Sequence, residues 1–281
     1  MPVTLDQILD ETRQRVAAAK AETPQSALAE MGAKRAMRGF RKALLKASAD
    51  GPAIIAELKQ ASPSKGVLRG VLHVGGVAMS LEQNGAAALS VLTEEKYFKG
   101  SLGNMREASA ASLLPILRKD FMIDEYQVWE AKAFGADAIL LIATCLNDEE
   151  LPRLYSLAKQ LELDVICEVH DEDDLTRVQM LGADIIGVNS RDLQSLQVDL
   201  ATHHRLFPLL PQDALRIAES GIRTGTDIRT LRAHGYQAFL VGEQLMEADD
   251  PGSALSQMLG EAKSPPLGSG GVPSFTVGTK D

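Results

Sequence analysis

From residue 54 onward the chain repeats one pattern: a short apolar run, a turn, then a segment with apolar residues at helical spacing. The apolar runs fall at 54–59, 88–93, 115–120, 138–143, 164–169, 185–190, 215–220 and 238–243. They are nearly continuous rather than alternating, which suits parallel strands covered on both faces. Between them, segments such as 124–134, 148–161 and 171–181 open with an acidic residue and then show a helical apolar stripe. Three intervening segments end in glycine just before the next run, at Gly135, Gly182 and Gly235, where a left-handed residue would turn the chain back. Eight such units predict an α/β fold closed as a (β/α)8 TIM barrel, with a doubly wound open sheet as the alternative.

Residues 1–50 lack the strand pattern. Leu5, Ile8 and Leu9 form one apolar edge, and Ala, Glu, Lys and Arg dominate as far as Lys46, so an N-terminal helical extension is expected. A break is expected near Thr23-Pro24-Gln25-Ser26, with Ser26 capping the next helical segment. The barrel is expected over 51–263. Beyond it the Ser-, Pro- and Gly-rich composition predicts a disordered tail over 264–281.

Composition narrows the function. A formal net charge of −9 repels nucleic acid and anionic membrane alike, so neither is expected as a partner, while a local lysine cluster can still hold an anionic small molecule. The two cysteines, Cys145 and Cys167, sit in apolar runs without metal-ligand spacing, and the plain expectation is a reducing cytoplasm. The N terminus carries no basic-then-apolar leader, and no uncharged apolar run approaches the roughly 18 residues of a membrane span. No dinucleotide fingerprint or Walker sequence occurs and the histidines form no metal-ligand set, so no cofactor and no metal are expected.

In a parallel barrel, reactive side chains belong at the carboxyl ends of strands. The first run ends in Glu57 and Lys59, the third in Lys119, the fifth in Glu168, the sixth in Asn189 followed by Arg191, and the seventh in Glu219 and Ser220. Strand alternation places Ile55 with Glu57 and Lys59, Leu117 with Lys119, Ile166 with Glu168, and Ile217 with Glu219, so each charge continues an apolar row. A single Lys or Glu at a strand end is ordinarily a solvated surface residue; convergence from separate strands is what points to acid–base chemistry. Arg118 and Asp120 have the opposite parity and are expected to pair with helices outside. Thr93, Glu94 and Glu95 are given no part in proton transfer.

Ser220-Gly221 after the seventh run and Gly242-Glu243 after the eighth put small residues where backbone N–H groups can approach an anion, although glycine there also serves tight turns. Glu243 is an awkward neighbour for phosphate, so its amide is expected to contribute and its carboxylate to point away. Phe98, Phe121 and Leu193 lie in loops at the same end and could either line an aromatic pocket or pack on the scaffold. His170 follows the fifth run and could reach the rim, though support of a loop is the expectation, and the adjacent His203 and His204 are expected to face different ways on a helix.

These residues lie in motifs that resemble one family. Ile54-Ile-Ala-Glu-Leu-Lys-Gln-Ala-Ser-Pro-Ser-Lys-Gly66, Leu89-Ser-Val-Leu-Thr-Glu-Glu-Lys-Tyr-Phe-Lys-Gly-Ser101, Pro115-Ile-Leu-Arg-Lys-Asp-Phe121, Ile186-Gly-Val-Asn-Ser-Arg-Asp-Leu193 and Ala218-Glu-Ser-Gly-Ile222 together resemble indole-3-glycerol-phosphate synthase, over about residues 3–260. The resemblance implies a TIM barrel acting in tryptophan biosynthesis, which closes the ring of 1-(2-carboxyphenylamino)-1-deoxyribulose 5-phosphate with loss of carbon dioxide and water. It implies Lys119 as general acid, Lys59 as second catalytic lysine and Glu168 as general base, with Glu57, Asn189 and Glu219 orienting them. Ser220, Gly221, Gly242 and the Glu243 amide match its phosphate site, and Phe98, Phe121 and Leu193 its anthranilate pocket. The carboxylate that is lost needs a cation while bound, a task open to Lys59 or Arg191. The resemblance leaves room for association with other tryptophan-pathway enzymes. Segment 70–79, with its His73-Val-Gly-Gly, is not among the motifs that carry the resemblance, and the loop after the first run is left open by it.

Other readings make different demands. A phosphoribosylanthranilate isomerase-like barrel wants a Cys or Asp acid–base pair, and a Schiff-base aldolase would use a barrel lysine covalently. A non-catalytic phosphate-binding barrel or scaffold subunit has no need of Lys59, Lys119 and Glu168 together.

Overall fold

The computed structural model of the chain describes residues 3–263, so the tail expected over 264–281 lies outside the described residues. Eight strands form a closed parallel ring: β1 (Ala53–Leu58), β2 (Ala88–Leu92), β3 (Ile116–Lys119), β4 (Ala138–Ile142), β5 (Asp164–Val169), β6 (Ile185–Asn189), β7 (Leu215–Glu219) and β8 (Ala238–Val241). Each pairs with its neighbours in sequence, and β8 returns to β1 through Ala53 opposite Ala238 and Ile55 opposite Leu240. Closure excludes the open sheet.

The strands are apolar throughout because each is buried twice. In β1, Ile54, Ala56 and Leu58 join the layer between strands and helices, while Ala53 and Ile55 face the axis. Leu117, Leu140, Ile166, Ile217 and Leu240 fill the axis from other strands, so the interior is packed rather than hollow. The predicted parity therefore holds, and the inward rows run directly into Lys119, Glu168 and Glu219. The predicted runs overshoot at the carboxyl end: Glu243, for example, leaves the sheet to open a short helix, α11 (Glu243–Glu247).

The remaining barrel helices are α4 (Val74–Gln83), α5 (Leu102–Ala111), α6 (Glu125–Phe134), α7 (Glu150–Gln160), α8 (Glu172–Met180), α9 (Ala201–Leu206), α10 (Gly225–His234) and α12 (Pro251–Lys263). Asp124 and Asp171 begin α6 and α8 by accepting hydrogen bonds from the N–H groups of Tyr126 and Asp174. Gly135, Gly182 and Gly235 end their helices with φ of 110°, 67° and 116°, the left-handed conformation expected of them. Among the described residues no helix is long and apolar enough to cross a membrane.

The N-terminal stretch is helical with the expected break at Thr23-Pro24, and departs from expectation in its detail. It forms three helices, α1 (Leu5–Glu22), α2 (Gln25–Ala33) and α3 (Phe40–Asp50). Ser26 does not cap α2, because the helix already begins at Gln25 with Pro24 in the cap position and no side-chain cap. The break at 34–39 was hidden by helix-favouring composition. There Arg35 reaches Asp137 at 2.6 Å, and Arg38 donates to the carbonyls of Ser109, Ser112 and Leu114. Those contacts outweigh a per-residue helix preference worth only tenths of a kcal/mol.

The extension crosses both ends of the barrel. α3 seals the amino end, where Phe40 and Leu44 are fully buried in the axial cluster and the Arg41 N–H donates to Asp164 at the start of β5. α1 lies across the carboxyl end, with Arg15 donating to the Thr93 carbonyl at 2.9 Å and to Asp120 at 2.8 Å. Arg118 and Asp120 turn outward, as their parity requires. Fully buried Arg118 donates to Asp120, to the Gln127 carbonyl and to Glu130 on α6. After β1 the chain makes an unanticipated small hairpin, Ala61–Ser62 against Gly66–Val67. Segment 70–79 then opens α4, whose Gly75 N–H donates to Glu107 at 2.8 Å.

Candidate active site

The carboxyl ends of the strands surround a cavity of about 170 Å³. Every residue nominated from the sequence borders it: Glu57, Lys59, Lys119, Glu168, Asn189 and Glu219 together with Phe98, Phe121, Arg191, Leu193, Ser220, Gly221, Gly242 and Glu243. At its centre the Lys119 ammonium donates to Glu168 at 2.8 Å and to Glu219 at 2.9 Å. Both carboxylates are buried, and Asn189 donates to the other oxygen of Glu168 at 3.0 Å. Lys59 pairs with Glu57 at 2.8 Å.

The electrostatics result from this crowding. Burial alone would discharge Lys119, but Glu168, Glu219 and Glu57 outweigh it and hold the ammonium above its ordinary range. For Glu168 burial acts upward, and Lys119, then His170, and hydrogen bonds from Lys119 and Asn189 carry it down to about 2. Glu219 goes the other way: burial raises it, Lys119 opposes, and the neighbouring Glu168 charge helps push it to about 7. Two carboxylates that share one ammonium are thus pushed in opposite directions, Glu168 toward the anion and Glu219 toward the protonated acid.

The wall is built by less conspicuous residues. Gly187 on β6 faces the axis, and a Cβ there would lie 2.1 Å from Glu219 Oε1 and 3.0 Å from Ile166. A glycine interrupting Ile185-Ile-Gly-Val-Asn189 was the available signal of such close approach. Gly187→Ala is therefore expected to push Glu219 off Lys119 and lower kcat by about 10²-fold. Steady-state kinetics with kcat unchanged would show that the placement of Glu219 is unimportant. Gly242 is similarly constrained, since a Cβ would lie 2.7 Å from Glu57 Oε1. At the end of β7, Ser220 and Gly221 have φ of 66° and 73° and turn the chain sharply beside the cavity, a conformation costing a non-glycine residue about 1 kcal/mol.

The apolar side is held by the loop after β2. Glu94 accepts from the N–H groups of Lys96, Tyr97 and Phe98 at 3.0, 2.7 and 2.9 Å. That fixes Phe98 with its ring centroid 6.3 Å from that of Phe121. Sequence reasoning missed two further contributors to the wall: Leu5 and Ile8 of α1, and Ser62-Pro63-Ser64 of the hairpin after β1. The Glu243 carboxylate is drawn to Lys65 at 2.9 Å and to Arg191 at 3.6 Å, so Arg191 already has an anionic partner. Burial raises both thiols, Cys167 to about 12, and neither Cys145 nor Cys167 borders the cavity. Among the described residues no group of three or more His, Cys, Asp or Glu is placed to hold a metal ion.

A closed parallel barrel with an ammonium between carboxylates at its carboxyl-end mouth belongs to the TIM-barrel class and is equipped for acid–base catalysis. Residues 5–258 match the family model for indole-3-glycerol phosphate synthase. The chain is 48% identical over 260 residues to an indole-3-glycerol phosphate synthase of Koribacter versatilis, covering 92% of this chain and 100% of the relative. It is 45% identical over 258 residues to one from Polaromonas sp. (strain JS666), covering 91% and 98% respectively. The chain belongs to the indole-3-glycerol phosphate synthase family, and with it to the carboxy-lyases of tryptophan biosynthesis. A solved structure of 3-hexulose-6-phosphate synthase from Salmonella typhimurium superposes with a TM-score of 0.60 at 14% identity, covering 74% of this chain and 97% of that one, a likeness of fold alone.

Proposed function

We propose that this cavity binds 1-(2-carboxyphenylamino)-1-deoxyribulose 5-phosphate and forms indole-3-glycerol phosphate, with Lys119 as general acid, Lys59 as second catalytic lysine and Glu168 as general base. The observation that carries the reading is the Lys119 ammonium poised between Glu168 and Glu219. Attack of the carboxylate-bearing ring carbon on the ketone forms the new carbon–carbon bond and builds charge on oxygen, which a fixed ammonium stabilises and protonates. An ammonium of raised pKa still suffices, because an alkoxide is a far stronger base than an amine. Loss of carbon dioxide returns its bonding pair to the ring. Dehydration then breaks a carbon–oxygen bond with a proton from a lysine, while Glu168 takes the proton from carbon.

Phe98, Phe121 and Leu193 would hold the anthranilate ring, and Ser220, Gly221, Gly242 and the Glu243 N–H the phosphate. Lys59 or Arg191 would neutralise the departing carboxylate, Arg191 by exchanging Glu243 for substrate. Glu57, Asn189 and Glu219 orient the reacting groups. We assign the catalytic role to residues 51–263, with 1–50 as a helical extension, and infer a cytoplasmic location from the two free cysteines.

Turnover is read by indole fluorescence with the carboxyphenylamino-deoxyribulose phosphate as substrate. Glu168→Gln is expected to lower kcat by about 10²- to 10⁴-fold with KM nearly unchanged. A wild-type protein inert toward this substrate, or a fully active Glu168→Gln variant, would overturn the reading.

A further inference from the structure

His170 contacts Glu168 without bordering the cavity. Its Nε2 lies 3.4 Å from Glu168 Oε1, the same oxygen that Asn189 serves. On the other side of the ring, Nδ1 lies 3.2 Å from the Thr144 hydroxyl and 3.6 Å from Asp174. The protons can be assigned from these contacts. Thr144 donates its one hydroxyl proton to Asp174 at 2.6 Å, so toward His170 it can only accept, and Nδ1 must carry a hydrogen. That leaves Nε2 shielded from solvent, without a hydrogen-bond partner, facing a carboxylate. A lone pair there would repel Glu168; a second proton attracts it. Both nitrogens protonated is the arrangement the surroundings favour.

The neighbours agree in sign. Glu168 from β5 and Asp174 from α8 present carboxylates to the ring, and Glu219 from β7 and Asp192 from the loop after β6 add their negative charge from beyond contact distance. Lys119 lies beyond Glu168, Arg177 lies 3.9 Å from Asp174, and Cys145, in the turn after β4, is a neutral thiol. We propose that His170, held as an imidazolium by Asp174, is a positioning residue that keeps Glu168 ionised and thereby sets the acid limit of catalysis. The proposal rests on Glu168 as the base.

The pH dependence is set by the same contacts. Burial lowers the His170 pKa, but Asp174, Glu168 and Glu219 together raise it above the ordinary imidazole value. Below that raised value the ring is a cation and opposes proton uptake by Glu168; above it the ring is neutral and has no such effect. Removing the imidazole therefore acts on the acid side only, whereas a purely structural role would lower activity at every pH.

The test is the pH profile of kcat and KM for wild type, His170→Gln, Asp174→Asn and the double variant. His170→Gln is expected to move the acid limb of kcat upward by about one pH unit, with KM little changed and the alkaline side coincident with wild type. Asp174→Asn, which leaves the ring charged at the low pH of the limb, should leave the acid limb close to that of wild type. The double variant should go no further than His170→Gln. An acid limb unmoved in His170→Gln, or a uniform loss across all pH in that variant, overturns the proposal. Glu168→Gln separates the two failures: if it abolishes turnover while His170→Gln leaves the profile unmoved, only this proposal falls; if it is fully active, the assignment of the base falls first.

Discussion

Replacing Lys119 by methionine is expected to reduce kcat by about 10³-fold or more, because in the proposed mechanism one side chain both stabilises the developing oxyanion and supplies its proton. The fold should survive. Methionine fills similar space, and the two carboxylates left without their ammonium can neutralise by taking up protons. With Lys119 gone, Glu168 and Glu219 are buried like charges whose folded pKa values rise above the unfolded ones, so their cost is absent in acid and grows as pH rises through the raised values. Thermal unfolding of the variant should accordingly fall relative to wild type between about pH 5 and about pH 8. Wild-type turnover in Lys119→Met would remove this residue from the chemistry, and a stability difference independent of pH would contradict the buried pairing of Lys119 with both carboxylates.

The second large effect lies one residue away and concerns stability. Arg118 is fully buried, bonded to Asp120, Glu130 and the Gln127 carbonyl, while Asp120 is held further by Arg15 and Thr93. Arg118→Met leaves Glu130 without that cation and the Gln127 carbonyl without that donor. A loss of about 3 kcal/mol is expected, the usual result of breaking a buried ion pair from one side. Denaturant unfolding measures it. A loss below about 1 kcal/mol would mean that Arg15 and Thr93 suffice for Asp120 and that Glu130 finds water or another donor.

These two neighbours show why so much was legible in the chain. Adjacent strand residues point to opposite faces, so Arg118 outward and Lys119 inward are dictated by parity alone once a parallel strand is granted. The same arithmetic assigned Glu57, Glu168 and Glu219 to one mouth, and the ordered motifs named the family. What stayed hidden depended on contacts between distant segments. The irregular stretch 34–39 has a helical composition and is set by Arg35 and Arg38 reaching residues 74 to 102 positions away. Glu243 looked only like an obstacle to phosphate, because its cations, Lys65 and Arg191, come from two other loops. His170 read as loop support, since neither Thr144 nor the Glu168 oxygen could be placed beside it from spacing alone.

The helical extension also bears on how the chain reaches its native state. Arg15 bonds Asp120 across 105 positions, and the Arg41 N–H bonds Asp164 across 123. Residues synthesised first therefore complete their contacts only after much of the ring exists, and such high contact order slows the last stage of folding. Until α1 and α3 are seated, the two open ends of the ring expose axial leucines and isoleucines, and in that interval the nascent molecule is most prone to aggregate.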